Sequence, residues 1–140
     1  MSDIEYVIVK EADRNQLIML YKDAGWWSPE NDEVDPAFVD KIIIGSFCFV
    51  IAVQEKQIVG MGRCISDGVS DAYIQDVVVL QSLRGKGIGK GIINKMIDFL
   101  TDKGLTWIGL ISEPGAEHFY ESLNFKIMEN YTPYLWKGKL

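Results

Sequence analysis

The stretch from Val77 to Gly91, VVVLQSLRGKGIGKG, joins a β-branched strand to a glycine-rich loop that opens an amphipathic helix. Its alternating glycines are Gly85, Gly87 and Gly89. A residue without a Cβ can adopt a positive φ, and it lets a phosphate group lie directly against peptide N–H groups at the start of a helix. Positive side chains flank these glycines: Arg84, Lys86 and Lys90. The stretch therefore predicts a cradle for a diphosphate.

Two familiar nucleotide-binding loops do not fit this spacing. A Walker loop needs glycine at position 84 and serine or threonine at position 91, where this chain has Arg84 and Gly91. A dinucleotide fingerprint needs a third glycine three residues after its second, but the residues found there are Lys90 and Ile92. A plain strand-to-helix turn remains as the alternative, although alternating glycines are a poor start for a helix unless a ligand comes close.

The composition is that of an ordinary globular protein. The 140 residues suit one domain, 1–140, because a chain of this size buries roughly 68 to 70% of its unfolded surface. The longest apolar run, 47–53, is far too short to span a bilayer, and no signal-peptide pattern opens the chain. We therefore expect a cytoplasmic protein without a membrane partner.

The charge and the cysteines narrow the range of ligands. A formal net charge of -6 argues against a nucleic-acid partner, because neutralising phosphates requires a basic face, and it suits a cationic substrate such as an amine. Cys48 and Cys64 lie within apolar, strand-like sequence and lack the spacing of a metal site. We expect buried thiols and no metal.

Hydrophobic periodicity predicts strands at 6–9, 47–53, 58–66, 72–80 and 107–111, followed by a hairpin-like pair at 125–128 and 134–136. The predicted helices are 11–23, 36–44, 88–100 and 114–123. Short turns join the second, third and fourth strands, which should be antiparallel. A helix bridges the fourth and fifth strands, which should be parallel.

The loop and the order of elements together resemble the GCN5-related N-acetyltransferase (GNAT) family over essentially the whole chain. Arg84, Gly87 and Gly89 match its acyl-coenzyme A loop pattern, Gln/Arg-x-x-Gly-x-Gly/Ala. The resemblance implies a mixed α/β fold with flanking helices, in which a mostly antiparallel central sheet splays open between parallel strands 4 and 5. The pantetheine arm of the co-substrate acetyl-CoA lies in that gap in the family.

The resemblance also implies which residues hold acetyl-CoA. The N–H of Val77 would polarise the thioester carbonyl, and Val79 would bond the pantetheine amides, with Val78 between them. The loop residues implied in cofactor binding are Arg84, Gly85, Lys86, Gly87, Ile88, Gly89 and Lys90.

The segment from Glu117 to Phe125, EHFYESLNF, resembles the aromatic-tyrosine helix of the family and makes Tyr120 the candidate general acid. A phenol has a pKa near 10 and a thiol one near 8.5, so donating a proton to the leaving thiolate costs roughly 2 kcal/mol before the environment contributes. An ordinary packing tyrosine is the alternative. Asn124 stands where the family often has glycine, and asparagine tolerates the left-handed conformation needed there. His118 points elsewhere on the same helix, and we expect it at the surface.

No residue of the sequence is an obvious candidate for the base that would take the acceptor's proton. Spermidine/spermine-type members of the family, which this segment also resembles, carry a glutamate on strand 4 where this chain has Gln75, followed by Asp76. An alkylammonium of pKa near 10.4 must lose its proton at a cost of about 4.6 kcal/mol at neutral pH. Gln75 could orient a water while Asp76, Glu113 or Asp67 takes the proton. Alternatively, the acceptor is an arylamine that needs no base, and Asp76 is a strand carboxylate paired with a lysine.

Trp26 and Trp27 are adjacent in the loop between the first two predicted helices, a region that lines the acceptor pocket in this family. A tryptophan face attracts an ammonium ion by about 0.5 to 2 kcal/mol. We predict that the pair binds the substrate, with core packing as the alternative.

These features favour an N-acetyltransferase that moves the acetyl group directly from acetyl-CoA to a primary amine of a small molecule, similar to the spermidine/spermine or arylalkylamine enzymes. Two alternatives stay open. The acceptor is a protein N-terminus or a lysine side chain, or the protein is a non-catalytic acyl-CoA-binding regulatory module. Dimers are common in the family, so a homodimer is a further expectation.

Overall fold

The computed structural model describes residues 3–28 and 35–139. The chain divides into two units, Met1–Leu110 and Ile111–Leu140. The first unit holds a five-stranded sheet with helices on both faces, and the described part of the second holds one short helix. None of the helices in the described ranges is both long and apolar enough to cross a membrane.

The sheet has the order β1-β2-β3-β4-β5. Its strands are β1 (Glu5–Ile8), β2 (Cys48–Gln54), β3 (Gln57–Ser66), β4 (Asp71–Val79) and β5 (Trp107–Leu110). Neighbours from β1 to β4 pair antiparallel, whereas β4 and β5 pair parallel. Both orientations confirm the prediction made from the lengths of the connections.

The helices are α1 (Arg14–Asp23), α2 (Pro36–Gly45), α3 (Ile88–Asp102) and α4 (Glu117–Ser122). α1 begins later than predicted because Asp13 caps it. The Asp13 carboxylate accepts hydrogen bonds from the N–H groups of Asn15, at 3.0 Å, and Gln16, at 3.1 Å. Asp35 caps α2 in the same way, through the N–H of Ala37 at 3.0 Å.

The two faces of the sheet bury different layers. One face forms a core with α1 and α2 that includes Leu17, Leu20, Ile43, Phe49, Ile51 and Met61. On the opposite face, α3 lies so close to β3 that a Cβ on Gly62 would come within 2.8 Å of Ile92 and 3.1 Å of Met96. Glycine in β3 therefore lets the apolar stripe of α3 pack directly on the sheet.

The two cysteines lie directly opposite each other on β2 and β3, and both are buried free thiols, as predicted. Burial raises the pKa of Cys48 to about 12, and the neighbouring Cys64 adds to the shift. Burial likewise raises the pKa of Cys64 to about 11. Both groups are therefore protonated, unreactive thiols at neutral pH.

The second unit differs from the prediction. Its described part, 111–139, contains no strand, so the predicted pair at 125–128 and 134–136 does not form there. Asn130 has a φ of +68°, Pro133 lacks a backbone N–H, and a lone hairpin is marginally stable in water. α4 begins at Glu117 and not at 114, because Gly115, with a φ of +89°, belongs to a turn that precedes it.

Candidate active site

β5 pairs with only the first half of β4. The parallel ladder runs from Asp71 beside Trp107 to Ile74 beside Leu110, where β5 ends. From 75 to 79, β4 continues alongside β3 but has no sheet partner on its other side among the described residues. The sheet therefore opens between β4 and β5, as the family resemblance implies.

The backbone of this half-strand directs peptide N–H groups into the opening. Leu80 donates its N–H to the carbonyl of Val59, on β3, at 2.9 Å. Successive N–H groups alternate between the two sides of a strand, so those of Val79 and Val77 point away from β3. These are the two amides that the resemblance assigned to the pantetheine and thioester groups.

Two glycines turn the chain from β4 into α3. Gly85 has a φ of +79° and Gly87 a φ of +84°, both in the left-handed region. A Cβ on either residue would meet no atom within 4 Å, so the backbone conformation, and not a lack of space, calls for glycine. Gly89 differs from the expectation, because it lies inside the first turn of α3 without a positive φ.

The first turn of α3 presents peptide donors. Gly87 caps the helix without a side-chain hydrogen bond, and the N–H of Gly91 donates back to the Gly87 carbonyl at 3.1 Å. The preceding N–H groups, of Ile88, Gly89 and Lys90, have no partner within the helix. Because these groups carry the positive end of the helix dipole, this end of α3 is suited to an anion.

The loop is positively charged and is anchored by hydrogen bonds to β4 and α1. Its basic side chains are all exposed: Arg84, Lys86 and Lys90. The Nε of Arg84 donates to the Val79 carbonyl at 3.2 Å. Gln81 donates its backbone N–H to Oδ2 of Asp23 at 2.9 Å and its side-chain amide to the Asp23 carbonyl at 2.7 Å. The end of α1 therefore anchors the start of the loop.

Asp76 lies in a β-bulge of β4. The register between β3 and β4 shifts between Met61 and Arg63, so that one residue of β3 faces two residues of β4, Asp76 and Val77. Asp76 has a φ of +55°, in the left-handed region that favours glycine. The bulge is the point at which β4 leaves β5 and enters the opening.

The Asp76 carboxylate accepts two hydrogen bonds on one oxygen. The Nε of Arg63 donates to Oδ2 at 2.6 Å, and the hydroxyl of Tyr21 donates to the same atom at 2.8 Å. The Nη2 of Arg63 also donates to Oε1 of Gln75 at 3.3 Å. The ion pair considered as the alternative for Asp76 is therefore present, although its partner is an arginine and not a lysine.

Asp67, one of the other two carboxylates considered as a base, lies elsewhere in the first unit. Asp67 is in the turn between β3 and β4, where its carboxylate accepts hydrogen bonds from Ser70 and Val69 that hold its pKa below the usual value. The turn lies before the start of β4, and the bulge lies about 16 Å along the strand from that start. Glu113 belongs to the second unit, where its carbonyl accepts a hydrogen bond from the Ser112 hydroxyl at 2.9 Å.

An aromatic cluster surrounds the hydroxyl partner of Asp76. Trp27 stacks on Tyr21 with ring centroids 4.2 Å apart and planes 9° from parallel, while Trp26 lies at 6.0 Å and is tilted. Phe38, on α2, lies 6.0 Å from Trp27. Both tryptophans are half-buried and pack against the core, as the packing alternative expects, while substrate binding by the pair stays a prediction. Their partial exposure also leaves aromatic surface beside a carboxylate.

Tyr21 and Arg63 were not predicted as site residues. Burial raises the pKa of the Tyr21 hydroxyl, and the Asp76 charge raises it further, so this hydroxyl remains a donor at neutral pH. Arg63 carried a sequence signal, because it is the single charge within the otherwise apolar strand 58–66 and such a residue needs a partner. Tyr21 continues the apolar stripe of α1, and nothing in the sequence separates it from a core residue.

Tyr120 lies on α4 between two aromatic rings. Its ring centroid is 5.0 Å from that of Phe119 and 5.8 Å from that of Phe125. Burial raises the pKa of the Tyr120 hydroxyl, and the Glu113 carboxylate raises it further. The hydroxyl is therefore protonated at neutral pH, as a proton donor must be, but its raised pKa widens the mismatch with a thiolate.

Two smaller predictions for this helix are confirmed. Asn124 takes the left-handed conformation, with a φ of +71°, directly after the helix ends. His118 is exposed.

A comparison with protein-family models matches residues 12–125 to the acetyltransferase (GNAT) family. The chain belongs to this family. The matched range extends from α1 to α4 and so includes the opening, the loop and the bulge. The family resemblance noted in the sequence is thereby confirmed.

Two plant relatives each match about half of this chain. GCN5-related N-acetyltransferase 2, chloroplastic, from Arabidopsis thaliana is 34% identical over 73 residues, which are 52% of this chain and 28% of that protein. Serotonin N-acetyltransferase 2, chloroplastic, from Oryza sativa subsp. japonica is 37% identical over 67 residues, or 48% of this chain and 34% of that protein. The chain thus spans about a third of the length of these relatives.

Solved GNAT structures superpose over nearly the whole chain. A GNAT family acetyltransferase from Streptococcus pneumoniae TIGR4 gives a TM-score of 0.81 at 21% identity, covering 99% of this chain and 100% of that one. An aminoglycoside acetyltransferase from an uncultured soil metagenomic sample, in complex with sisomicin, gives 0.76 at 23% identity and covers 97% of each chain. At these identities the likeness shows a shared fold.

Proposed function

We propose that this protein is an acetyl-CoA-dependent N-acetyltransferase that acetylates a primary amine of a small molecule. The observation that carries the proposal is the open half of β4. Its Val77 and Val79 N–H groups face the gap, and the chain then runs directly into the glycine loop and the first turn of α3. Backbone donors in this succession suit a ligand with a thioester, amides and a diphosphate in one chain.

The residues along this path fit the parts of acetyl-CoA, which supplies the acetyl thioester when it is bound. The first-turn N–H groups of α3 would hold the diphosphate, with the exposed Arg84, Lys86 and Lys90 adding positive charge. Val79 would bond the pantetheine amides. Hydrogen bonds to a charged acceptor contribute about 1.5 to 3 kcal/mol each, so a few such donors are sufficient to orient the ligand.

The chain's own groups would accelerate transfer in three ways. The opening would hold the amine against the thioester, which removes much of the entropic barrier. The Val77 N–H would stabilise negative charge that develops on the carbonyl oxygen. As a neutral amine forms the new carbon–nitrogen bond and the carbon–sulfur bond breaks, Tyr120 would deliver its hydroxyl proton to the departing sulfur, and the proton lost by the nitrogen would pass through water to the Tyr120 phenolate.

Three observations support a small amine as the acceptor. The net charge of -6 favours a cation. Trp27, which stacks on Tyr21, and Phe38 beside it offer aromatic faces that attract an ammonium ion. One relative is named serotonin N-acetyltransferase, and one neighbour of the same fold is named aminoglycoside acetyltransferase; both names give small-molecule acceptors.

A protein acceptor is the second candidate. Histone acetyltransferase TAP1 from Glycine max is 34% identical to this chain over 73 residues, and its name gives a protein acceptor.

Release of free thiol from acetyl-CoA tests these candidates. The protein would be incubated with acetyl-CoA and either a panel of polyamines, arylalkylamines and aminoglycosides, or peptides with a free N-terminus or lysine. We expect faster release with at least one small amine than with any peptide. Preference for a peptide would favour the second candidate. Calorimetric binding of acetyl-CoA without turnover on any acceptor would favour a non-catalytic module, and absence of binding would overturn the proposal.

A further inference from the structure

We propose that Arg63 and Tyr21 clamp Asp76 so as to hold the β4 bulge, which makes Asp76 a positioning residue for the Val77 N–H and not the base that takes the acceptor's proton. The effect on turnover rests on the proposed function. The effect on the backbone of β4 does not, and it can be measured on the protein alone.

The bulge decides which way the rest of β4 faces. Without it, β4 would slip by one residue against β3 after Gln75. A slip of one residue turns each later side chain to the other face of the sheet and each N–H to the other side of the strand. Val78, which is 5% exposed, would leave the core, and the Val77 and Val79 N–H groups would turn from the opening toward β3. The donors in the opening therefore depend on the bulge.

The bulge needs help to persist because its left-handed position is not a glycine. Glycine is the usual residue at such a position, and a residue with a Cβ adopts it at a cost in free energy. Asp76 occupies it with a φ of +55°. Aspartate, like asparagine, tolerates this region better than most residues, and the contacts made by the Asp76 side chain offset the remaining cost.

Those contacts converge from two elements. Arg63, from β3, and Tyr21, from α1, donate to the same Oδ2 atom at 2.6 Å and 2.8 Å. The side chains of Arg63 and Asp76 are only 17% and 25% exposed, so their ion pair is largely shielded from water. Arg63 also reaches Gln75, at 3.3 Å, and therefore holds the bulge from the residue before it as well.

The same contacts leave Asp76 poorly placed to act as a base. The oxygen Oδ2 already accepts two hydrogen bonds, and the Arg63 guanidinium balances the carboxylate charge. A proton taken at either carboxylate oxygen would remove the negative charge that pairs with Arg63 and so weaken the clamp. The two hydrogen bonds to Oδ2 and the ion pair with Arg63 are both expected of a carboxylate that positions the backbone.

Four substitutions of Asp76 separate a positioning role from a basic one. Asp76→Gly and Asp76→Asn tolerate a positive φ but have no carboxylate. Asp76→Glu keeps a carboxylate but fits the left-handed position poorly. Asp76→Ala has no carboxylate and also fits that position poorly. We expect the glycine and asparagine variants to retain at least about tenfold more turnover than the alanine and glutamate variants, the ratio given by the cost of a left-handed Cβ. A glutamate variant that is more active than both the glycine and asparagine variants would overturn the proposal.

A second readout does not depend on activity. Amide hydrogen exchange and NMR shifts of Val77, Val78 and Val79 would be recorded for the unliganded protein and each variant. We expect wild-type-like amides in Asp76→Gly and altered amides in Asp76→Ala. Arg63→Ala should alter them in the wild type but not in the Asp76→Gly background, where the clamp is not needed. Unchanged amides in Asp76→Ala would overturn the proposal even if the protein acetylates no amine.

Discussion

Gly87 is the residue at which the backbone conformation and the proposed ligand site coincide. Its φ of +84° disfavours any side chain, and its neighbours supply the free donors of the first turn of α3. We expect Gly87→Val to raise the dissociation constant for coenzyme A by at least about tenfold, equivalent to the loss of one charged hydrogen bond, while the protein stays folded. Isothermal calorimetry measures the affinity.

Gly104→Val is the matched control for this change. Gly104 has a φ of +85° and is equally free of neighbours, but it lies just beyond the opposite end of α3. Each valine should lower the free energy of unfolding by roughly 1 to 2 kcal/mol, and only the change at position 87 should affect coenzyme A. Equal losses of affinity in the two variants would mean that binding follows stability and not the loop.

A substitution of Tyr120 tests its proposed role as the general acid. We expect Tyr120→Phe to lower kcat by about 10²- to 10⁴-fold, because the hydroxyl proton is lost, while the affinity for coenzyme A stays nearly the same. Since the pKa of Tyr120 is raised above its ordinary value of 10.0, its loss of a proton should not reduce the wild-type rate below pH 10. Steady-state rates from pH 6 to pH 10 check both points. Equal rates for the two proteins would remove Tyr120 from the mechanism.

At the scale of elements, α3 and β1 meet at Gly91, where a Cβ would overlap the ring of Tyr6. Overpacking costs about 1 to 3 kcal/mol, whereas alanine in a helix interior gains about 1 kcal/mol over glycine. We therefore expect Gly91→Ala to destabilise the protein by about 1 kcal/mol. In a Tyr6→Ala background the overlap is gone, and the same change should stabilise it. Urea unfolding midpoints of the wild type, the two single variants and the double variant measure both effects. If Gly91→Ala changes the stability in the same direction in both backgrounds, this packing is contradicted.

The predictable elements are those whose pattern is set within the element itself. The stripe of α3 and the connections around β2, β3 and β4 carried their own periodicity and turn residues, and the structure confirms them. The bulge at Asp76 could not be foreseen, because an extra residue in one strand is defined only by the register of its partner. The closing pair at 125–136 failed for a related reason, since alternating residues need a neighbouring strand in order to pair.

The candidate site likewise has one part that the sequence predicts and one part that it does not. The loop from Arg84 to Lys90 is a single contiguous segment, and the spacing of its glycines predicts its backbone conformation. The contacts of Asp76 join residues 55 and 13 positions apart in the chain, and only the fold brings them together.

At the scale of the whole molecule, the buried cysteines report on opening of the sheet. Cys48 and Cys64 lie opposite each other in its interior, with pKa values raised to about 12 and about 11. An unfolded cysteine has a pKa near 8.5, so at pH 8 only the unfolded chain reacts readily. We expect a thiol reagent to label both residues at the rate of unfolding, and urea to accelerate labelling and unfolding equally. Rapid labelling of the native protein would contradict the buried placement.

The half-paired β4 also bears on how the protein behaves when it is stored. A row of bare amides is a template on which another chain can add a strand, and such additions seed precipitates. Bound coenzyme A would cover these amides. Because it would bind only the folded protein, it would also raise the melting temperature in proportion to the logarithm of its concentration. Turbidity on warming should therefore appear earlier in samples stripped of coenzyme A than in samples supplied with it. The gap proposed to admit a ligand would then also be the place at which the unliganded protein begins to aggregate.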